Sequence, residues 1–321
     1  MSNLKITMEE FIGQACADIR AQAGGRPVLC ALSGGVDSAV CAVLTHRAIG
    51  GKLTCLFVDT GMMRLGEGDE VVALFRDAYA INLIRVDAEE RYLAKLKGVT
   101  EPEQKRKIIG GEFVRIFEEE AKKLGEIGCL VQGTIYPDIV ESGQDGHKHV
   151  KAHHNVGGMP ANIEFKAVIE PLKLLYKEEV RECGRKLGLP ESFAARQPFP
   201  GPGLAVRCLG ELTKPRLDLL RAADAIFREE VEKAGLRQEI QQYFAVLPGV
   251  KSVGVRNGAR CFEETVALRA VKTTDFVTAG SARLPYELLE TVAARITSEV
   301  EGVNRVVWDV TPKPPATVEW E

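Results

Sequence analysis

Between residues 27 and 187, short and mostly apolar runs alternate with longer stretches of helical spacing, and this alternation restricts the fold more than any other feature. Runs 28–32, 53–58, 82–86, 129–132 and 167–170 are short and mostly β-branched or apolar, which predicts strands. Residues 37–48, 67–80, 103–124 and 176–187 place apolar side chains at helical intervals. Strands apolar on both faces and joined by helices predict a parallel, doubly wound α/β sheet covered on both sides. Such sheets bind ligands beyond the carboxyl ends of their strands, where the loops 33–38, 59–64 and 133–138 fall.

The pattern stops at Pro198-Phe199-Pro200-Gly201-Pro202-Gly203, a run that can neither continue a helix nor occupy a central strand. Beyond it, helices are expected at 217–234 and 285–299 and strands at 241–247, 252–256, 265–271 and 303–310, a smaller α+β module. The expected domains are therefore 1–197 and 198–321. The loop 142–166, rich in Gly, His and Asn, has the length of a functional or mobile segment.

Several function classes drop out on composition. Net charge is −3, so no basic excess advertises nucleic-acid binding, and an anionic ligand must be held by local cations, backbone N–H groups or a metal ion. No apolar run approaches the roughly 20 residues of a membrane span, and residues 1–14 lack the basic start and apolar stretch of a signal peptide. None of the eight cysteines forms a C-x-x-C pair, and most lie inside apolar runs, as buried reduced thiols of a cytoplasmic protein do.

Ser33-Gly34-Gly35-Val36-Asp37-Ser38, continuing into Ala39, joins the first strand to the first helix after it. Two glycines let the backbone turn sharply and bring successive N–H groups onto an anion, and the helix start behind them adds unpaired donors and a positive dipole end. Ser33 and Ser38 supply hydroxyls; Asp37 beside a phosphate implies a cation, and Mg²⁺ is expected there. Neither the Walker pattern nor G-x-G-x-x-G follows this strand, which argues against β–γ cleavage by a P-loop enzyme and against a dinucleotide oxidoreductase.

The hexapeptide resembles the PP-loop of the N-type ATP pyrophosphatases, which split ATP between its α- and β-phosphates. Segments across the rest of the chain are similar to signatures of the GMP synthetase family: 57–64, 98–110, Gln132-Gly133-Thr134-Ile135-Tyr136-Pro137-Asp138, Lys151-Ala152-His153-His154-Asn155, the Pro-Gly run ending at Arg207, and the tail 313–321. That resemblance implies an adenine nucleotide alpha hydrolase-like domain followed by a dimerisation domain. It implies adenylation of XMP by ATP and displacement of AMP by ammonia. It assigns Ser33, Gly34, Gly35, Val36, Asp37, Ser38 and Ala39 to ATP, with Asp37 on the metal. Lys105 and Lys107, in a Lys-Arg-Lys cluster at a helix start, match a mobile lid that gathers onto the triphosphate. Basic side chains stand at the unfavourable end of a helix there. Arg64, Arg207, Lys313 and Glu319 match positions that contact XMP.

The resemblance also implies a homodimer through the C-terminal domain. The family's amidotransferase half, with its nucleophile elbow, is not found in these residues, so a separate glutamine amidotransferase subunit or free ammonium is the expected ammonia source. His147, His149, His153 and His154, with Glu141 and Asp145 nearby, lack zinc-site spacing, and no zinc is expected. The chain departs from the family pattern at Val255-Arg256-Asn257-Gly258-Ala259-Arg260, where a carboxylate is common, at Gln197 for His, and at Pro312 for Ser. Two other readings stand beside the ligase: a paralogue amidating another acceptor, and a nucleotide-sensing protein that keeps the fold without turnover.

Overall fold

The computed structural model describes residues 5–143, 165–273 and 277–321. The candidate side chains His147, His149, His153, His154, Glu141 and Asp145, and the 151–155 signature, lie outside what is described. The chain divides into two compact units, one of Met1–Gly61, Gly66–Ala88 and Ile109–Gly201, the other of Met62–Leu65, Glu89–Ile108 and Pro202–Glu321. Residues 62–65 and 89–108 thus group with the C-terminal module, although the linear reading gives them to the first domain.

The first unit opens with a helix that the sequence reading does not anticipate, α1 (Met8–Ala23). Thr7 caps it, accepting from the Glu10 N–H while the Glu10 carboxylate accepts from the Thr7 N–H, a capping box. Its buried positions Met8, Phe11, Ile12, Ala15, Cys16, Ile19 and Ala23 form one stripe. Then follow β1 (Val28–Leu32), α2 (Val36–Ile49), β2 (Leu53–Asp59), α3 (Glu67–Val72) and β3 (Asn82–Asp87). The segment 67–80, expected as one helix, loosens into a π-helical turn at Ala73–Ala78. After α4 (Glu89–Leu96) comes α5 (Pro102–Lys123), whose first residues group with the second unit. Next are β4 (Cys129–Val131), α6 (Tyr136–Gly143), β5 (Ala167–Ile169), α7 (Lys177–Lys186) and α8 (Glu191–Ala194).

The five strands form one wholly parallel sheet in the order β3-β2-β1-β4-β5, with Cys30 beside Cys55 on one side of β1 and beside Val131 on the other. Strand order reverses at β1, so the loops leaving β1 and β4 flank the switch-point crevice of a doubly wound sheet. The register leaves little room there. A Cβ on Gly133, just past β4, would sit 3.4 Å from the Asp37 backbone and side chain.

The second unit is built on β8 (Ala259–Lys272). It follows α9 (Lys214–Lys233), β6 (Gln242–Val246) and β7 (Lys251–Arg256), and precedes β9 (Gly280–Ser281), α10 (Tyr286–Glu299) and β10 (Val303–Trp308). β8 pairs antiparallel with β6, β7 and β9 and parallel with β10. It is twice the expected length because β7 and β8 form a hairpin closed by Asn257 and Gly258 at φ 52° and 77°. Positive φ at both central residues is what a two-residue hairpin turn of this hand requires, and Asn-Gly supplies it at least cost. The departure at Asn257 is therefore a turn residue, with a local structural reason. Phe227 of α9 meets the rings of Tyr243 and Trp308 edge-on in the core of this unit. Among the described residues no helix is long and apolar enough to cross a membrane.

Candidate functional site

In the first unit the loop after β1 is shaped by its own short bonds. Gly34 has φ 78° and Gly35 is extended, so neither position favours a larger residue: a Cβ on Gly35 would press within 3.3 Å of the Ser33 hydroxyl. The Ser33 N–H donates to Ser38 Oγ at 3.2 Å, Gly35 N–H donates to Ser33 Oγ at 3.3 Å, and Ser38 Oγ donates to the Gly35 carbonyl at 3.0 Å. α2 starts at Gly35 with no side-chain cap, leaving its first N–H groups to solvent or a ligand. Val36 and Ala39 are buried, so they offer only backbone donors, while Ser33 and Gly35 are exposed.

Two side chains converge on this turn from distant sequence. Lys177, the first residue of α7, places its ammonium 2.9 and 2.7 Å from the two carboxylate oxygens of Asp37. Sequence reasoning missed it, although the signal was the one used for the Lys105 cluster: a cation at the helix end that the dipole disfavours. Arg196, 8% exposed, donates to the Gly34 carbonyl at 3.2 Å and to Glu70 at 2.7 Å, with its guanidinium 4.0 Å from the centre of the Phe193 ring. Arg196 thereby ties the carbonyl of the first glycine of the turn to α3 through Glu70. Arg181 in turn ties the Ala194 and Arg196 carbonyls.

Among the described residues no cluster of three or more His, Cys, Asp or Glu side chains could hold a metal by itself. Asp37 alone suits Mg²⁺, which binds through one or two carboxylates and phosphate oxygens rather than an all-protein cage. In the next loop Asp59 is fixed, accepting from Gly61 N–H at 3.1 Å and from Arg85 at 2.7 Å. A Cβ at Gly68 would come within 2.6 Å of the same carboxylate, so that helix start has to be glycine.

The second unit gathers the other candidates. Arg64 is 4% exposed with its Nε 3.9 Å from the Asp224 carboxylate of α9. Its segment is threaded beside the Pro-Gly run, where Leu204 N–H donates to the Met62 carbonyl at 2.8 Å and a Cβ at Gly203 would lie 2.4 Å from that oxygen. Arg207 and Glu319 are brought together as a bidentate pair at 2.9 and 2.8 Å, and the Arg207 guanidinium stacks 3.9 Å over the Phe244 ring. Lys313 exchanges backbone hydrogen bonds with Ala279 and lines a hollow of about 570 Å³ with Gln241 and Lys272. Glu319 lines another of about 600 Å³ with Trp308 and Trp320.

Lys105, at the start of α5, is held by the C-terminal end of the chain. It is fully buried, donating to the Cys208 carbonyl at 3.0 Å and to the Glu321 carboxylate, while Arg106 donates to the Glu321 main-chain oxygen. Lys107 is exposed. Seven of the eight cysteines are buried, and burial pushes the Cys208 thiol up to about 11 and the Cys183 thiol up to about 12, so neither is a nucleophile near neutral pH.

Residues 229–320 match the family model described as GMP synthase C terminal domain. The GMP synthase (glutamine-hydrolyzing) of Acetivibrio thermocellus is 59% identical over 314 residues, which cover 98% of this chain and 61% of that protein. The enzyme of the same name from Ruminiclostridium cellulolyticum is 58% identical over 98% of this chain and 61% of its own length. Among solved structures, NMN synthetase from Francisella tularensis aligns at a TM-score of 0.49 and 16% identity, over 63% of this chain and 79% of that one. The NH3-dependent NAD synthetase of Campylobacter jejuni aligns at 0.45 and 16%, over 73% and 86%. Along nearly all of its own length this chain is thus similar to proteins named GMP synthase, and it spans about three-fifths of the length of the relatives it matches.

Proposed function

We propose that the chain is the synthetase part of a GMP synthase, joining nitrogen to XMP at the expense of ATP. The observation that carries this reading is the turn 33–38, with an uncapped helix start behind two glycines and Asp37 and Lys177 meeting beside it. Backbone donors and one ammonium suit a pyrophosphate that must be held as it leaves. The purine oxygen of XMP attacks the α-phosphorus, the bond to the β-phosphate oxygen breaks, and pyrophosphate departs. Ammonia then adds to the activated ring carbon, loses a proton, and AMP leaves with the oxygen.

In this reading Ser33, Gly34, Gly35, Val36, Ser38 and Ala39 hold phosphate through N–H and hydroxyl groups, and Lys177 neutralises the charge released on the leaving group. Asp37 is the residue that would hold Mg²⁺, which would supply charge neutralisation on the phosphates. Lys107 is the lid cation, since Lys105 already has two partners. Arg64, Arg207, Lys313 and Glu319 supply the XMP contacts.

Ammonia comes from a glutamine amidotransferase outside these 321 residues, consistent with the glutamine-hydrolyzing name of the relatives. The protein pairs as a dimer through its second unit, where Val253 and Phe262 face each other across the hairpin at 46% and 65% exposure. The test is incubation with MgATP and ammonium, with and without XMP. XMP-dependent AMP, pyrophosphate and GMP support the reading; AMP formed only with another acceptor favours an amidating paralogue, and nucleotide binding without turnover favours a sensor.

A further inference from the structure

Arg269 lies in the middle of β8, is fully buried, and is among the largest buried side chains of the protein. Its guanidinium spends its donors on one stretch of chain. Nε donates to the Val318 carbonyl at 2.8 Å, Nη2 to the Thr317 carbonyl at 2.7 Å, and Nη1 to the Thr311 carbonyl at 3.0 Å and the Asp309 carboxylate at 2.6 Å. Asp309 extends the grip, accepting from the Thr311 N–H at 2.9 Å and the Trp320 indole N–H at 3.1 Å. The Val318 side chain packs on the cluster of Phe244, Val246 and Ala267.

The tail from 309 to 320 is therefore bent around a single planar fork. Lys313 stands inside that bend, and Glu319 is the first residue past the gripped Val318 carbonyl, with its carboxylate on Arg207. A planar fork with five N–H donors can meet acceptors in several directions at once, whereas a lysine ammonium is a point charge on a flexible stem.

We propose that Arg269 is a positioning residue for XMP: it never touches the nucleotide but sets the backbone from which Lys313 and Glu319 reach it. The proposal rests on the reading of the tail given above. It separates Arg269 from general stabilisation because, among the described residues, the guanidinium's hydrogen bonds go to the tail and to the carboxylate that holds the tail.

The test uses the full chain in steady-state kinetics with MgATP, ammonium and XMP. Arg269→Lys, which keeps charge beside Asp309 but loses the fork, raises the KM for XMP about tenfold or more, on the scale of lost charge-assisted hydrogen bonds, and leaves the KM for ATP unchanged. Glu319→Gln raises the XMP KM too, and the double variant falls short of the sum of the two single effects, because part of the Arg269 effect runs through the Glu319 carboxylate. Where Arg269→Lys does not fold, Asp309→Asn gives the same split in smaller measure.

A raised XMP KM in Glu319→Gln with no change in Arg269→Lys, or equal rises for ATP and XMP, or full additivity in the double variant, overturns the positioning role alone. An unchanged XMP KM in Glu319→Gln overturns the tail assignment itself and the positioning role with it.

Discussion

The phosphate loop of the first unit and the tail of the second are built on opposite plans. The loop relies on glycine geometry and backbone N–H groups, and its ion pair lies within reach of solvent, Lys177 at 38% and Asp37 at 28% exposure, while the buried Arg196 ties the Gly34 carbonyl. The tail is held by cations that have almost no exposure: Arg207 at 1%, Arg269 and Lys105 at 0%, each facing a tail carboxylate or the carboxylate that orders the tail. A ligand entering the loop meets an uncapped helix start beside short bonds of the turn itself, whereas the tail's carboxylates are already paired with buried cations. One site is organised by local conformation and the other by long-range ion pairs, so damage to each should register differently: in the chemistry for the loop, in stability and substrate affinity for the tail.

The sharpest way to break that contrast is at the loop. Asp37→Ala and Lys177→Ala are each expected to lower GMP formation by about 10²–10³-fold, the range seen when one electrostatic group is removed from a transition state, with an unchanged thermal midpoint. A midpoint that falls along with the rate would make the loop a structural element like the tail.

Next in size is Lys105→Ala, which strands a carboxylate that is 6% exposed; the loss is about 3 kcal/mol, as for a buried pair deprived of one member. Denaturant midpoints would read it, with Lys105→Met closer to wild type because it keeps the volume. A stable Lys105→Ala variant that instead needs much more ATP would return this lysine to the lid.

Lys313→Ala comes third, raising the XMP requirement about tenfold with the ATP requirement unmoved; steady-state titration of each substrate separates the two.

The smallest effect is one of pH. Burial alone raises the Asp309 carboxyl, but the Thr311 N–H and hydroxyl, Arg269 and Trp320 outweigh it and hold the group below its usual 3.8. A carboxyl depressed in the folded state stabilises the tail fully above its unfolded value and loses that stabilisation as pH falls through the lower folded value. Trp320 fluorescence should thus stay constant from neutral pH down to about 4 and change only below it. A transition near pH 6 would mean that another group holds the tail.

How much of this was visible in the bare sequence follows the same division. The five strands of the parallel sheet fell within one residue of their expected ends, since an apolar run between turn residues needs no partner to be recognised. The loop 33–38 was legible for the same reason, being six contiguous residues whose geometry is set locally.

Lys177, which reaches Asp37 across 140 residues, was not. Neither was Arg269, whose tail partners lie 40 to 49 residues away. The burial of Lys105 was not legible either, because its partner Glu321 is 216 residues distant and periodicity carries no information at that range. α1 is a different case, because its Thr7-x-x-Glu10 box and apolar stripe were there to be read. The hairpin at Asn257 shows how a family departure can be a turn preference rather than a change of chemistry.

The most direct test of the central claim is the bond in ATP that this protein breaks. With ATP labelled at the α- and γ-phosphates, XMP and ammonium, the account predicts that the α label appears only in AMP and the γ label only in pyrophosphate, in step with GMP. Recovery of ADP and inorganic phosphate as first products would contradict it.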